Sequence, residues 1–178
     1  MIIGFTGRAG AGKTTAAGYI AGFKHYSFAA PIKALLNPFF GWDDRHAFGE
    51  LKEKIDERWG FSPRAAYQTF GTEFARALNP DFWIRYAESV IPPGVDTVID
   101  DIRFPNEAAW VRERGILIHI ERASLPDIRP HASELPLPFS TDAGDMQAIN
   151  NGSIEDLHRT LDVLMLLARD RYDDIALR

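Results

Sequence analysis

The run Gly7-Arg8-Ala9-Gly10-Ala11-Gly12-Lys13-Thr14 fits the pattern G-x-x-x-x-G-K-[ST], a loop that cradles phosphates. Glycines let backbone N–H groups converge on phosphate oxygens, and the helix that follows presents its positive end there. Lys13 has the reach to meet the β- and γ-phosphates of a nucleoside triphosphate, and the Thr14 hydroxyl is of the type that ligates Mg²⁺. The donor-binding candidates are therefore Gly7, Arg8, Ala9, Gly10, Ala11, Gly12, Lys13, Thr14 and Thr15. The competing reading is a glycine-rich turn with a chance lysine. Against it, the motif sits directly between an apolar strand-like run, Ile2–Thr6, and a helix-forming stretch, the context such a loop requires.

A second set of candidates lies near the middle of the chain. Asp100 and Asp101 close the apolar run Thr97-Val98-Ile99, where an acidic residue can hold Mg²⁺ directly or through water. Asp101 is taken with Thr14 as the metal pair; a solvated strand end is the alternative. Arg103 follows near the carboxyl edge of the expected sheet, where ligands of open α/β folds collect. Its planar fork suits phosphate because it engages two oxygens at once. A salt bridge to Asp101 or Glu107 is its other use. Arg64, Gln68, Thr72, Glu73, Arg76 and Trp83 form a polar-aromatic set whose spacing alone equally describes a solvated helix face. Arg122 and Arg129 stand in a proline-rich stretch where a lid could lower guanidinium groups onto a transferring phosphoryl group, mainly an electrostatic task. His131 reads as a surface histidine, and no cluster has zinc-ligand spacing.

The elements that must position these residues follow from the pattern. Ile2–Thr6 predicts a buried strand, and a helix from Lys13 runs through Ile20 to Gly22. A short strand is expected at 25–28, then a helix with Pro31 in its first turn. Residues 37–60 read as helical and exposed. Ser62-Pro63 caps a helix through Gln68, with Gly71 as a kink or break, and Asp81 caps another through Glu88. A strand at 97–99, a helix from Pro105 closed by Gly115, and a strand at 116–120 come next. Residues 121–141 read as a loop or lid, 146–149 as a last strand, and Ser153 with Asp156 as a capping box for a final helix. Asn151-Gly152-Ser153 also matches a glycosylation acceptor, but turn and cap account for it. Strands alternating with helices predict α/β architecture, a parallel sheet covered on both faces.

Composition sets the bounds. A chain of 178 residues predicts one domain, with room for a mobile insert, and is long enough to bury a core without staples. Cysteine is absent, which removes disulfides, thiolate zinc sites and cysteine nucleophiles, and fits a reducing compartment. The 20 basic and 25 acidic residues give a net charge of −5 with no basic run, so no polymeric nucleic acid is expected as partner. An anion site must then be a local concentration of positive groups. Val163–Ala168, the longest strongly apolar run, is too short to span a bilayer, and the N-terminus lacks a basic secretory n-region. No membrane and a cytoplasmic location are the expectation.

Four blocks in this order resemble the deoxynucleoside monophosphate kinases of tailed bacteriophages and their bacterial relatives. They are Gly7–Thr15; Phe28-Ala29-Ala30-Pro31-Ile32-Lys33; Gln68-Thr69-Phe70-Gly71-Thr72-Glu73 with Arg76 and Trp83; and Asp101-Ile102-Arg103-Phe104-Pro105-Asn106-Glu107. His131-Ala132-Ser133-Glu134 and Asn150-Asn151-Gly152-Ser153 add to the likeness. The resemblance implies a three-layer P-loop NTPase fold of the nucleoside monophosphate kinase type, with a parallel sheet of about five strands. Within one domain, 1–178, it implies an acceptor-binding helical region near 30–90 and a lid near 121–140. It implies transfer of the ATP γ-phosphoryl group, with Mg²⁺, to a deoxynucleoside monophosphate. Lys13, Asp101, Arg103, Arg122 and Arg129 would be the catalytic groups. Acceptor contacts would fall at Arg64, Gln68, Gly71, Thr72, Trp83, Asp101, Arg103 and Glu107, and Trp83, Phe70 or a neighbouring aromatic could pack against C2′ of the sugar. The bacterial or phage-infected cytoplasm would be its location, and a homodimer is left open. Ala30 stands where relatives often carry an acidic residue. The rivals are a kinase for another small metabolite such as dephospho-coenzyme A, which needs a general base for its hydroxyl acceptor, and a non-catalytic nucleotide-binding switch.

Overall fold

The computed structural model describes residues 1–123 and 131–176. In chain order the helices and strands are β1 (Ile2–Thr6), α1 (Lys13–Tyr19), β2 (Lys24–Tyr26), α2 (Ala29–Phe40), α3 (Asp44–Ala47) and α4 (Pro63–Gln68). A π-helix (Thr69–Ala75) runs on into α5 (Arg76–Leu78) and is followed by α6 (Phe82–Val90), β3 (Thr97–Ile99) and α7 (Pro105–Arg112). Then come β4 (Gly115–Glu121), a 3₁₀ turn (Ala132–Glu134), β5 (Met146–Ile149) and α8 (Ile154–Ala176). Two compact units emerge: Met1–Ser27 with Val90–Arg178, and Phe28–Ser89.

The first unit is built on one parallel sheet of five strands in the order β2-β3-β1-β4-β5. All five residues of β1 are buried, as an apolar central strand covered on both faces must be. Ile3 and Phe5 pack with Ala16, Ala17, Leu157 and Leu161 of α1 and α8, within a cluster that also holds Ile116, Ile118 and Ile120 of β4. On the opposite face Gly4 lies so close to α7 that a Cβ there would sit 2.9 Å from Val111. Helices thus cover both faces, giving the expected three-layer α/β fold. Gly115 does not close α7, which ends at Arg112. It opens β4 beside β1, where a Cβ would meet the Ile2 carbonyl oxygen at 1.9 Å. The capping box of α8 is present: the Ser153 amide donates to Asp156 Oδ2 (2.9 Å) and the Asp156 amide to Ser153 Oγ (3.2 Å).

A buried polar network ties the chain before β5 to the α7 face of the sheet. Arg112 reaches both oxygens of Asp145, Nε to Oδ1 at 2.8 Å and Nη2 to Oδ2 at 2.6 Å. His119 Nε2 lies 3.0 Å from the same Oδ2, which also accepts the Ser140 amide at 2.8 Å. Burial pushes the His119 imidazole below its ordinary value, against the pull of Asp145. Burial alone would raise the Asp145 carboxyl. Its bonds to Arg112, the Ser140 N–H and His119 outweigh that and hold it below the usual range.

The second unit is helical, and most of 41–61 is not. After α2 ends at Gly41 (φ 71°), only the single turn α3 is helical before Pro63. The segment is held by rings instead. Phe40 stacks on Trp42 with centroids 4.5 Å apart and meets Trp59 and Phe61 edge-on at 5.1 and 5.5 Å. The indole N–H groups are satisfied, Trp42 by Asp56 Oδ2 (2.6 Å) and Trp59 by the Phe40 carbonyl (3.1 Å). The charged and aromatic composition suggested a solvated helix, but aromatic packing fixes an irregular backbone. Tyr67 donates to Asn37 Oδ1 at 2.6 Å, and burial pushes its phenol up to about 12.

Gly71 does not break its helix either. Ser62 caps α4, its Oγ accepting the Ala65 amide at 3.3 Å, and the chain continues without interruption through the π-helix into α5. The wider turn absorbs the glycine, which packs against α2: a Cβ at Gly71 would come within 2.8 Å of Ile32 Cδ1.

Candidate functional site

The loop between β1 and α1 has the backbone its glycines permit. Gly7, Gly10 and Gly12 take φ of 140°, 81° and 104°, conformations that side chains resist. Two of these positions are also closed sterically. A Cβ at Gly7 would lie 2.2 Å from the Ile120 carbonyl oxygen, and one at Gly12 would lie 2.5 Å from Asn150 Nδ2. The buried Lys13 side chain arches back over the loop, its Nζ donating to the carbonyls of Gly7 (2.6 Å) and Arg8 (2.8 Å). Its ammonium charge is thereby held at the loop, the local positive group that an acidic protein needs for an anion.

β3 lies beside β1 in parallel, Gly4 opposite Ile99, so the residues after Ile99 emerge at the same sheet edge as the loop. There Thr14 is bonded to Asp100 and not to Asp101. Thr14 Oγ1 donates to Asp100 Oδ2 at 2.7 Å, whereas Asp101 Oδ2 accepts from Ser27 Oγ at 2.7 Å. Strand alternation sends these neighbouring carboxylates in different directions. Asp100 is buried, its Oδ1 has no hydrogen-bond partner, and His25 Nε2 stands 3.4 Å from Oδ2. A buried carboxylate oxygen without a donor, next to a threonine hydroxyl, suits a cation that takes most of its ligands from phosphates and water, as Mg²⁺ does. Among the described residues no group of three or more His, Cys, Asp or Glu could hold a metal by itself.

The block after Asp101 is built around Glu107. This carboxylate is 2% exposed, and its Oε2 accepts the backbone N–H groups of Arg103 (2.8 Å) and Phe104 (3.0 Å) at the start of α7. Glu107 therefore holds the backbone of Arg103 and Phe104 in place. Arg103 Nη1 donates to the Ser133 carbonyl at 3.2 Å, joining this block to the 3₁₀ turn. Arg122 is exposed just past β4; Arg129, and with it residues 124–130 of the expected lid, lie outside the described residues.

Within the helical unit the expected acceptor residues occupy α4, the π-helix and α6. Arg64 pairs with Glu53 at 2.6 Å. Gln68 and Thr72 are half-buried, and Gly71 is buried. Trp83 is 5% exposed, and its indole N–H donates to the Gly71 carbonyl at 2.9 Å. Its polar atom is thus committed to holding the π-helix. Phe70, half-buried in the π-helix, stacks on Phe74 at 5.3 Å and lies 6.4 Å from Trp83.

Residue types and spacing did not single out Ser27, His25 or Asn150. Asn150 Nδ2 donates to the Ala11 carbonyl inside the loop at 2.8 Å. Ser27 and Asn150 share a positional signal, each standing just past the end of a parallel strand, whereas His25 lies within β2.

A glycine loop behind the central strand, its lysine folded over it and its threonine bonded to an acid at the end of the next parallel strand, define the phosphate-loop class of nucleotide-binding α/β proteins. The comparisons narrow the class. The family model for deoxynucleotide monophosphate kinase matches residues 44–161. That match begins beyond the phosphate loop, so the loop stands independently of it. A protein of Acanthamoeba polyphaga mimivirus described as "Putative deoxynucleotide monophosphate kinase" is 34% identical over 179 aligned residues, covering 89% of this chain and 92% of that protein. The chain belongs to the deoxynucleotide monophosphate kinase family and is, at that level, a kinase. Among solved structures, TT1252 from Thermus thermophilus is similar at 20% identity and a TM-score of 0.48, covering 93% of this chain and 96% of its own. A sugar kinase from Janibacter sp. HTCC2649 is similar at 15% identity and a TM-score of 0.44, covering 98% and 96%. No helix among the described residues is long and apolar enough to cross a membrane.

Proposed function

We propose that the protein transfers the γ-phosphoryl group of ATP to a deoxynucleoside monophosphate, yielding the deoxynucleoside diphosphate. The observation that carries this reading is the Thr14–Asp100 pair beside the Lys13 loop, set in a chain of the deoxynucleotide monophosphate kinase family. Backbone N–H groups of Gly10, Gly12 and Lys13 bind the donor phosphates. The Lys13 ammonium, released from the Gly7 and Arg8 carbonyls, neutralises charge that builds on the transferring group. Thr14 and Asp100 would hold Mg²⁺, which would offset the charge of the donor phosphates when bound.

The attacking atom is a phosphate oxygen of the monophosphate, already anionic at neutral pH, so no side chain has to remove a proton. The protein's task is to align the two nucleotides and exclude water. Arg103, its backbone fixed by Glu107, engages the acceptor phosphate. Asp101 is kept in place by Ser27 on the same side. Arg64, Gln68, Thr72 and Phe70 are the acceptor groups of the helical unit, with Gly71 and Trp83 shaping the turn that carries them. Arg122 and Arg129 supply further positive charge from the lid. A close fit of Phe70 to C2′ with no partner for a 2′-hydroxyl disfavours ribonucleotides by about 1–3 kcal/mol, the cost of burying an unpaired polar group. The small substrate and the absence of any need for nucleic acid or membrane fit a cytoplasmic enzyme.

The test is ATP consumption with and without matched pairs: dGMP and GMP, dCMP and CMP, dAMP and AMP. Stimulation by the deoxy member of at least one pair, about tenfold or more above its ribose counterpart, is expected. ATP turnover unaffected by every monophosphate overturns the reading, and equal efficiency within every pair removes the deoxyribose preference.

A further inference from the structure

We propose that Asn150 is a positioning residue that aims the backbone of the phosphate loop, and that with Asn151 it couples the loop to the chain leaving β4. The inference deepens the phosphoryl-transfer reading and rests on it.

Asn150 follows β5. Its side-chain amide donates to the Ala11 carbonyl at 2.8 Å, and it packs so tightly that a Cβ on Gly12 would come within 2.5 Å of Nδ2. Ala11 is 1% exposed, and its N–H is already taken by the Arg8 carbonyl at 3.1 Å. The first bond holds the Gly10–Ala11 peptide unit, and the Asn150 bond holds the next one, Ala11–Gly12. A trans peptide is planar, and its C=O and N–H point in opposite directions. Pinning the Ala11 oxygen toward Asn150 turns the Gly12 N–H away from it, leaving that N–H aimed for a donor phosphate in the proposed reaction. Pre-aimed donors of this kind need no reorganisation when charge arrives.

The same turn grips the chain after β4. The Asn150 backbone N–H donates to the Glu121 carbonyl at 2.7 Å, and Asn151 Oδ1 accepts the Ala123 N–H at 2.8 Å. At its other end the loop touches β4 again, Gly7 lying against the Ile120 carbonyl. Two consecutive asparagines thus join the phosphate loop to the residues that lead toward Arg122 and beyond. The Asn150 side chain is not needed to dock the strands, because β4 and β5 are paired along Ile118–Glu121 and the Asn150–Glu121 bond uses backbone atoms alone. Removing the side chain therefore isolates the loop contact.

The experiment compares parent, Asn150→Asp, Asn150→Ala and Lys13→Ala. It uses thermal melting, titration with inorganic pyrophosphate, the amide resonances of Gly12 and Ala123 in ¹⁵N-labelled protein, and kinetics. Asn150→Asp keeps the size but sets a carboxylate against the Ala11 oxygen. It should weaken pyrophosphate binding about tenfold to a hundredfold and raise the KM for ATP alike, shift the Gly12 resonance before any ligand is added, and leave the monophosphate KM within about twofold. Asn150→Ala should do the same to a smaller degree, and it decides the matter if Asn150→Asp does not fold. Coupling requires that pyrophosphate move the Ala123 resonance in the parent and that Asn151→Ala abolish this movement. Unchanged pyrophosphate affinity and an unmoved Gly12 resonance in both Asn150 variants overturn the proposal, while loss of binding in Lys13→Ala leaves the phosphate-loop reading standing. A parent that binds no pyrophosphate overturns both. A parent Ala123 resonance that stays still removes the coupling.

Discussion

The sheet unit and the helical unit hold their candidate residues by different means. In the sheet unit the chemistry stands just past strand ends: Gly7 after β1, Ser27 after β2, Asp100 after β3 and Asn150 after β5. Backbone ladders fix the starting point of each, and short polar bonds such as Thr14–Asp100, Ser27–Asp101 and Asn150–Ala11 finish the placement. In the helical unit no ladder exists. A π-helix is held by an indole N–H on the Gly71 carbonyl and by the close approach of Ile32, and rings organise the irregular stretch before α4. π turns are uncommon and gather at functional sites. Backbone geometry is therefore the rigid variable in one unit and side-chain packing the adjustable one in the other. The first should fail abruptly when disturbed, the second by degrees.

Paired glycine substitutions test this contrast most severely. In Gly115→Ala the new methyl meets the Ile2 backbone at 1.9 Å, and strand-paired backbone cannot retreat. A loss above about 4 kcal/mol, or failure to fold, is expected. In Gly71→Ala the obstacle is the tip of the Ile32 side chain at 2.8 Å, which can rotate, so a loss of about 1–3 kcal/mol is expected by denaturant unfolding. Equal losses would erase the distinction. Lys13→Ala should come next, lowering kcat about 10²–10³-fold while the melting temperature stays close to the parent's. Near-parental turnover would detach the loop from catalysis.

Trp83→Phe sharpens the helical side. It keeps an aromatic ring but leaves the buried Gly71 carbonyl without its indole donor, at a cost of about 1–3 kcal/mol. If Trp83 acts by shaping the π turn, the monophosphate KM should rise while the KM for ATP holds. A rise in the ATP KM alone would assign it elsewhere.

The smallest effect is on pH dependence. The folded His119 resists protonation below its ordinary value of 6.5, while the unfolded chain takes up the proton there. The unfolded state thus binds more protons, so stability is complete above 6.5 and is lost as pH falls through the folded value. Asp145, held below its ordinary 3.8, adds a second loss further into acid. Melting followed from neutral to acid pH should show the first slope in the parent and not in His119→Gln. An unchanged slope would show that another group titrates there.

Much of this molecule was legible because local rules sufficed. The phosphate loop, the strand before it, the Ser62 and Ser153 caps and the parallel α/β order all follow from glycine, proline, capping residues and apolar runs, whose preferences act over a few residues. Gly71 was read as a kink or break and Gly115 as a helix end for the same reason, yet both are required by close contact with a distant element, Ile32 in one case and Ile2 in the other. Residues 41–61 looked like a solvated helix because composition does not reveal that Trp42, Trp59 and Phe61 gather on Phe40.

The division is the same within the site. Sequence alone determined that Lys13 and Thr14 follow a glycine loop, since those residues are neighbours in the chain and their spacing is the geometry. It also brought an acidic pair to the end of β3. Which of the two carboxylates meets Thr14 depended on the direction in which strand alternation points each, and on Ser27 being present to occupy Asp101. That Asn150 reaches Ala11 from 139 residues away is a contact between segments that only the folded sheet brings together. Chain-local chemistry is written in spacing, whereas the partner of a buried polar group is set by whichever strand end the fold places beside it.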